Sequence, residues 1–152
     1  MSQLLSDQQI AAFRTDGVLC IRQAFDQNWL DLLAKGIDRN IREPGPVGRK
    51  YTPDGEPGGF FGDYCNWNRI AEYERFMRHS PAGQYAAEAM CSASARIFHE
   101  HVLVKEPGTR ERTPWHHDQP YYCVDGDHIC SIWLSLDSVP ASSGVEFVAG
   151  TH

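Results

Sequence analysis

Hydrophobic residues recur at helical spacing through the first part of the chain. Residues 6–16 are predicted to form a helix, because Ser6 and Gln9 make a capping box and Gly17 follows as a terminator. Apolar residues with a period of about 3.6 predict a second helix from Asp26 to just before Pro44. Two more helices are predicted at about 68–78 and 81–91, with Ser80 and Pro81 at their boundary.

The pattern changes in the second part, where apolar and polar residues alternate as they do in β-strands. Strands are predicted at 95–105, 128–136 and 145–148, in addition to a short apolar strand at 18–21. Helices that come first and closely spaced strands that follow favour the α+β class. The second half is then an antiparallel sheet, a sandwich or a barrel.

Gly and Pro are frequent from residue 43 to residue 63, which predicts a long loop without regular structure. Loops of this length are uncommon inside compact domains and are often functional. One interpretation is a linker that joins the helices to the sheet. The other is a lid, because the aromatic residues Tyr51, Phe60 and Phe61 on this loop could close over an apolar substrate.

Composition and charge narrow the classes of partner. The 152 residues suit a single domain, and the net charge of −6, without any run of Lys and Arg, argues against nucleic acid and anionic membranes. The longest apolar runs are too short to span a bilayer. Five cysteines without a CxxC pair predict reduced, mostly packed thiols in a cytoplasmic protein. The partner that we expect is a small-molecule substrate.

The most informative segment is the aromatic stretch 115–122, which contains His116, His117 and Asp118. On a strand, side chains at positions i and i+2 share a face, so His116 and Asp118 would point to one place and His117 away from it. One imidazole and one carboxylate are two of the three ligands in the facial triad of non-haem Fe(II) enzymes. A surface His–Asp pair is the alternative for the triplet taken alone.

Two neighbouring predicted strands also carry polar faces. Residues 99, 101, 103 and 105 share one face, on which His101 and Lys105 are hard to bury in a dry core. On the strand 128–136, Ser131 and Trp133 lie opposite an apolar face. These faces line either a polar cavity or the solvent-exposed side of a sheet.

At these segments the sequence resembles the phytanoyl-CoA dioxygenase family of Fe(II)/2-oxoglutarate-dependent oxygenases. The residues that carry the resemblance are closely spaced and occur in the same order as in the family. They lie in four segments, at residues 98–109, 113–122, 129–137 and 143–152. It is looser before residue 95, where it rests on an opening helix, a turn into a strand and the aromatic loop.

The resemblance implies a double-stranded β-helix, or jelly roll, with helices packed on one side. It also implies that His116 and Asp118 are iron ligands, that Trp133 contacts 2-oxoglutarate, and that Lys105 and His101 line the same pocket. The cofactors would be Fe(II), 2-oxoglutarate and O₂, and the reaction would be hydroxylation of a C–H bond in a small organic substrate.

The resemblance also implies a distal histidine and an arginine that have no counterpart after Asp118. We therefore expect the chain to hold about the first half of one domain, with a helical flank at 1–94 and the first barrel strands at 95–152. Uncovered strands would then favour self-association. A non-catalytic interaction module, an inactive fragment, and a cupin-like isomerase or hydrolase with another divalent metal stay open as alternatives.

Overall fold

A computed structural model describes residues 2–152 and divides them into two compact units. The first unit contains the segments up to Asp26, Pro81–Arg96 and His116–His152, and the second contains Gln27–Ser80 and Ile97–Trp115. The helices are α1 (Asp7–Asp16), α2 (Gln27–Arg42), α3 (Ala71–His79) and α4 (Ala82–Ala89). The strands are β1 (Arg49–Lys50), β2 (Phe60–Tyr64) and β3 (His101–Lys105).

Local signals set the ends of α1 as the sequence predicts. The Ser6 hydroxyl accepts a hydrogen bond from the backbone N–H of Gln9 at 3.3 Å, and the Gln9 side chain accepts one from the N–H of Ser6 at 2.9 Å. Both bonds of the capping box are therefore present. Gly17 ends the helix in the left-handed region, with φ of 76°, and its N–H donates to the carbonyl of Phe13.

A carboxylate on α4 anchors the start of the chain in the first unit. Glu88 accepts hydrogen bonds from the backbone N–H groups of Leu4 and Leu5, at 2.9 and 2.8 Å to Oε2. Leu5 is thereby held in the core of this unit, where it is fully buried. Phe25 meets Tyr85 of α4 edge-on, with ring centroids 5.9 Å apart.

The second unit holds a three-stranded antiparallel sheet in the order β1-β2-β3. Lys50 pairs with Phe61, which pairs in turn with Val104, so these three side chains share one face. Helices α2 and α3 meet through Trp29 and Phe76, whose rings pack edge to face at 5.7 Å. The sheet and these two helices form a mixed helical and antiparallel unit.

A buried polar network joins β2 to the end of α2. The Asp63 carboxylate is fully buried and accepts hydrogen bonds from the Asn40 amide and the Gly45 N–H, both at 2.7 Å. Asn40 is itself fully buried, and its Oδ1 accepts a hydrogen bond from the Tyr73 hydroxyl. No hydrophobic pattern marks these residues, so the sequence alone does not predict this network.

The structure corrects several predicted strands. Residues 18–21, 128–136 and 145–148 contain no strand, and only His101–Lys105 of the predicted strand 95–105 is one. A strand exists only where its backbone pairs with a neighbour, and alternation alone does not supply that neighbour. Conversely, β1 and most of β2 fall inside the segment predicted as a structureless loop. The fold is therefore α+β with a small antiparallel sheet.

Two glycines in helices allow a matched test of packing in the second unit and of helix propensity in the first. A Cβ on Gly36 of α2 would lie 2.5 Å from the ring of Tyr73, which is buried and held through its hydroxyl by Asn40. Replacing Gly36 by Ala should lower the free energy of unfolding by about 1–3 kcal/mol, because the clash outweighs the gain in helix propensity.

Gly83 of α4 is the control, since nothing lies within 4 Å of its Cβ position. Its replacement by Ala should raise the free energy of unfolding by about 0.5 kcal/mol. Urea unfolding of both variants measures the difference. A stabilised Gly36→Ala variant would show that Tyr73 does not pack as the structure has it.

Two further predictions concern the burial of the cysteines and the absence of membrane-spanning helices. Four of the five cysteines are exposed and only Cys130 is partly buried, so the prediction of packed thiols is wrong for most of them. Burial raises the pKa of the Cys130 thiol, which makes it a poor nucleophile at neutral pH. Among residues 2–152, no helix combines the length and the apolar character that crossing a bilayer requires.

Candidate functional site

The His116–Asp118 segment lies on a loop that leads into a short 3₁₀ helix at Gln119–Tyr121. The prediction that it forms a strand is therefore wrong. The reason is local: Pro120 has no N–H for a strand ladder, and its fixed φ suits the first turn of a helix. The carbonyl of Asp118 accepts the N–H of Tyr121 at 2.9 Å, which closes that turn.

The two predicted ligand side chains nevertheless meet. His116 Nε2 lies 3.1 Å from Asp118 Oδ1, and both side chains remain partly exposed, at 36% and 49%. The loop and the turn after it bring together the residues at i and i+2, which the sequence analysis had assigned to one strand face. His117, between them, is exposed. The geometry agrees with an ordinary imidazole–carboxylate hydrogen bond and with two adjacent ligands of one cation.

A serine and a tyrosine complete this cluster. Ser131 Oγ donates to Asp118 Oδ2 at 3.1 Å, and the Tyr122 hydroxyl lies 3.4 Å from Ser131 Oγ. Burial raises the pKa of Tyr122. The hydrogen bond with Ser131 opposes this shift, whereas the charge of Asp118 and a hydrogen bond to Asp118 both add to it. Ser131 is expected on a polar face, but the sequence does not predict its contact with Asp118. No local pattern in the sequence gives a signal for this contact, because the two residues lie thirteen positions apart.

The segment around Trp133 is irregular, but its residues keep part of the expected alternation. Cys130 and Leu134 are partly buried, whereas Ser131 and Trp133 are exposed. Ile132, with 46% exposure, and Ser135, which is partly buried, depart from the pattern. This segment forms one wall of a cavity of about 140 Å³ within the first unit. The other walls are mostly apolar residues of α1, α4 and the chain between 19 and 25.

The other two predicted pocket residues, Lys105 and His101, belong to the second unit, on β3. Both are exposed, and the alternation predicted for this strand is confirmed over His101–Lys105. Lys105 Nζ donates to the carbonyl of Glu111 and the hydroxyl of Thr113, each at 3.2 Å, and also lies 4.5 Å from the ring centroid of Phe60. In this structure Lys105 therefore fastens the loop that follows β3.

The aromatic residues predicted as a lid lie in or beside the sheet of the second unit. Phe60 and Phe61 are part of β2, and Phe60 is buried against Tyr51, with ring centroids 4.6 Å apart. Paired strands hold these side chains more firmly than a free loop would. Phe61 lines an open groove of about 360 Å³ together with Ile41, Lys50, Gly59, Phe60, Val104 and Glu106.

The donor set of the His116–Asp118 pair fits part of an iron site. An imidazole nitrogen and a carboxylate oxygen are ligands of non-haem Fe(II), and two ligands about 2.1 Å from a metal ion at right angles are about 3 Å apart. The observed 3.1 Å matches that separation. Within residues 2–152, however, no group of three or more His, Cys, Asp or Glu side chains is arranged to hold a metal ion.

Comparison with protein families gives a match that covers most of the chain. The model of the phytanoyl-CoA dioxygenase (PhyH) family matches residues 13–152. Comparison with curated proteins and with solved structures gives no significant match. The matched residues include all of the second unit, most of the first unit and the His116–Asp118 cluster. The chain therefore belongs to the phytanoyl-CoA dioxygenase (PhyH) family.

Proposed function

We propose that the chain carries the His116–Asp118 part of the Fe(II) site of a 2-oxoglutarate-dependent dioxygenase. Family membership supports an oxidoreductase of the dioxygenase kind. The observation that carries the finer proposal is the 3.1 Å approach of His116 Nε2 to Asp118 Oδ1, a separation that suits two ligands of one ion. The double-stranded β-helix implied by the resemblance is part of the same proposal.

In that function, three residues of this chain would bind the metal ion or 2-oxoglutarate. His116 would offer a neutral imidazole nitrogen and Asp118 one carboxylate oxygen to the metal. A bound Fe(II) ion would supply chemistry in which 2-oxoglutarate and dioxygen become succinate and carbon dioxide while a substrate C–H bond becomes C–OH. Trp133 would contact 2-oxoglutarate through its exposed ring.

The groove beside Phe61 is the proposed contact for the substrate. Its walls are the side chains of Ile41, Phe60, Phe61 and Val104, with the charged residues Lys50 and Glu106 also lining it. Apolar walls with a few charged groups suit a small organic molecule that has both apolar and polar parts. Tyr51 packs on Phe60 and would support this wall.

Anaerobic titration of the full chain with Fe(II), with and without 2-oxoglutarate, tests the proposed function. We expect one Fe(II) per chain and tighter binding when 2-oxoglutarate is present. Succinate formed as 2-oxoglutarate is consumed would exclude a cupin-like isomerase or hydrolase. Failure to bind Fe(II) would overturn the proposal and favour the interaction module described next.

A non-catalytic interaction module is the second candidate. The observation in its favour is the exposure of large apolar side chains in the last part of the chain, including Trp115, Tyr121 and Phe147 at 67%, 76% and 59%. Where such side chains lie next to one another on the surface, they commonly mark an interaction site. Size-exclusion chromatography that shows concentration-dependent association, without Fe(II) binding, would support this candidate over the enzyme.

Trp133 gives a separate prediction. Replacing it by Ala should weaken 2-oxoglutarate binding about five- to tenfold, because a lost aromatic contact costs roughly 1–1.5 kcal/mol, and should change Fe(II) affinity little. Trp67, which packs on Arg78 in the second unit, is the matched tryptophan control. Isothermal titration of each variant with Fe(II) and then with 2-oxoglutarate separates the two effects. A larger loss of Fe(II) affinity than of 2-oxoglutarate affinity would refute the role of Trp133.

A further inference from the structure

The two oxygens of the Asp118 carboxylate have different neighbours. Oδ1 lies 3.1 Å from His116 Nε2, and Oδ2 accepts a hydrogen bond from Ser131 Oγ at 3.1 Å. One oxygen is therefore held by a neutral hydroxyl, and the other lies beside the imidazole. A carboxylate on a partly exposed loop would otherwise rotate among several orientations.

Two hydroxyl groups, those of Ser131 and Tyr122, lie beside the Asp118 carboxylate. A serine hydroxyl has one hydrogen, and Ser131 donates it to Asp118. The Tyr122 hydroxyl lies 3.4 Å from Ser131 Oγ and also makes a hydrogen bond with the Asp118 carboxylate, to which it can only donate. Tyr122, Ser131 and Asp118 therefore form one hydrogen-bonded cluster around the carboxylate, and the bonds of such a cluster strengthen one another.

We propose that Ser131, supported by Tyr122, is a positioning residue that holds Oδ2 of Asp118 and so presents Oδ1, beside His116, to a divalent cation. This inference rests on the proposed function of the His116–Asp118 pair. Partners behind a ligating carboxylate fix its orientation, and their removal typically weakens metal binding about 10- to 100-fold. With Oδ2 occupied by Ser131, Asp118 offers the metal a single oxygen.

Replacement of Ser131 by Ala and by Thr in the full chain tests this role, with Co(II) as the probe. Co(II) reports both affinity, by isothermal titration, and coordination, by its visible absorption. The Ala variant should bind Co(II) about tenfold more weakly and with a changed absorption band, because Asp118 can then offer both oxygens. The Thr variant keeps the hydroxyl and should restore the affinity and the band.

Ser135 is the matched control, because it lies in the same segment and its hydroxyl donates to the carbonyl of Asp137 at 2.7 Å. Its replacement by Ala should leave Co(II) binding unchanged, and circular dichroism checks that every variant folds. If Asp118→Ala abolishes Co(II) binding while Ser131→Ala binds as the wild type does, the positioning role is wrong and the proposed function stands. If Asp118→Ala binds Co(II) like the wild type, the proposed function and this inference fail together.

Discussion

Replacing Asp63 by Ala is expected to lower the free energy of unfolding by about 3–5 kcal/mol, because it leaves buried donors without an acceptor. The Asn40 amide and the Gly45 N–H both donate to Asp63 Oδ2, and neither Asn40 nor Asp63 is exposed to solvent. The N–H of Tyr64 loses its bond to Oδ1 as well. Urea unfolding followed by circular dichroism measures the loss.

Asp54 provides the control for this experiment. Its side chain is fully exposed, and its only salt bridge among the described residues is a contact of 3.7 Å with Lys50. Replacing Asp54 by Ala should therefore change the free energy of unfolding by no more than about 0.5 kcal/mol. Equal unfolding midpoints for the two variants would show that Asp63 is not the acceptor that ties β2 to α2.

The same carboxylate predicts how stability depends on pH. Burial by itself would raise the pKa of Asp63, but the hydrogen bonds from Gly45, Asn40, Asn66 and Tyr64 outweigh it and lower that pKa below the ordinary value. The folded state therefore binds this proton less readily than the unfolded state. The contribution of Asp63 is complete above the unfolded pKa and is lost as the pH falls towards the folded pKa, and Asp63→Ala should remove this acid dependence.

The helices were predictable because their signals are local. A capping box, a terminating glycine and an apolar stripe lie within one or two turns of the residues that they organise. The sequence accordingly predicts 6–16 for α1 and 81–91 for α4, against the observed Asp7–Asp16 and Ala82–Ala89. Strand β2 was missed because its pairing with Lys50 and Val104 depends on distant residues, whereas the surrounding Gly and Pro suggest only turns.

In the candidate site too, contacts between residues close in sequence were predictable and contacts between distant residues were not. The spacing of His116 and Asp118 predicts that the two side chains converge, and they do, although on a loop beside a 3₁₀ turn. The bond from Ser131 to Asp118 joins residues thirteen apart, and no local rule predicts it. Part of the predicted alternation of buried and exposed side chains within 128–136 is present, because a segment can bury one face without pairing as a strand.

Replacing His116 or Asp118 by Ala should reduce Fe(II) affinity by at least about 100-fold, which exceeds the usual effect of residues behind the ligands. Each variant removes one of the two donors that lie 3.1 Å apart, and a single donor does not chelate. Asp118→Asn keeps the shape and removes the charge, so it should also lose most of the affinity. Anaerobic Fe(II) titration of the full chain measures these losses.

His117 is the control that makes this prediction specific, because it has the same chemistry and stands between the two ligands in sequence. Its side chain is exposed, and the imidazole beside the Asp118 carboxylate is that of His116. His117→Ala should therefore bind Fe(II) within about threefold of the wild type, a change that is small against the tenfold to 100-fold effect of residues behind the ligands. Equal losses of Fe(II) affinity at all three positions would mean that the metal binds this loop nonspecifically. The assignment of His116 and Asp118 as ligands would then be wrong.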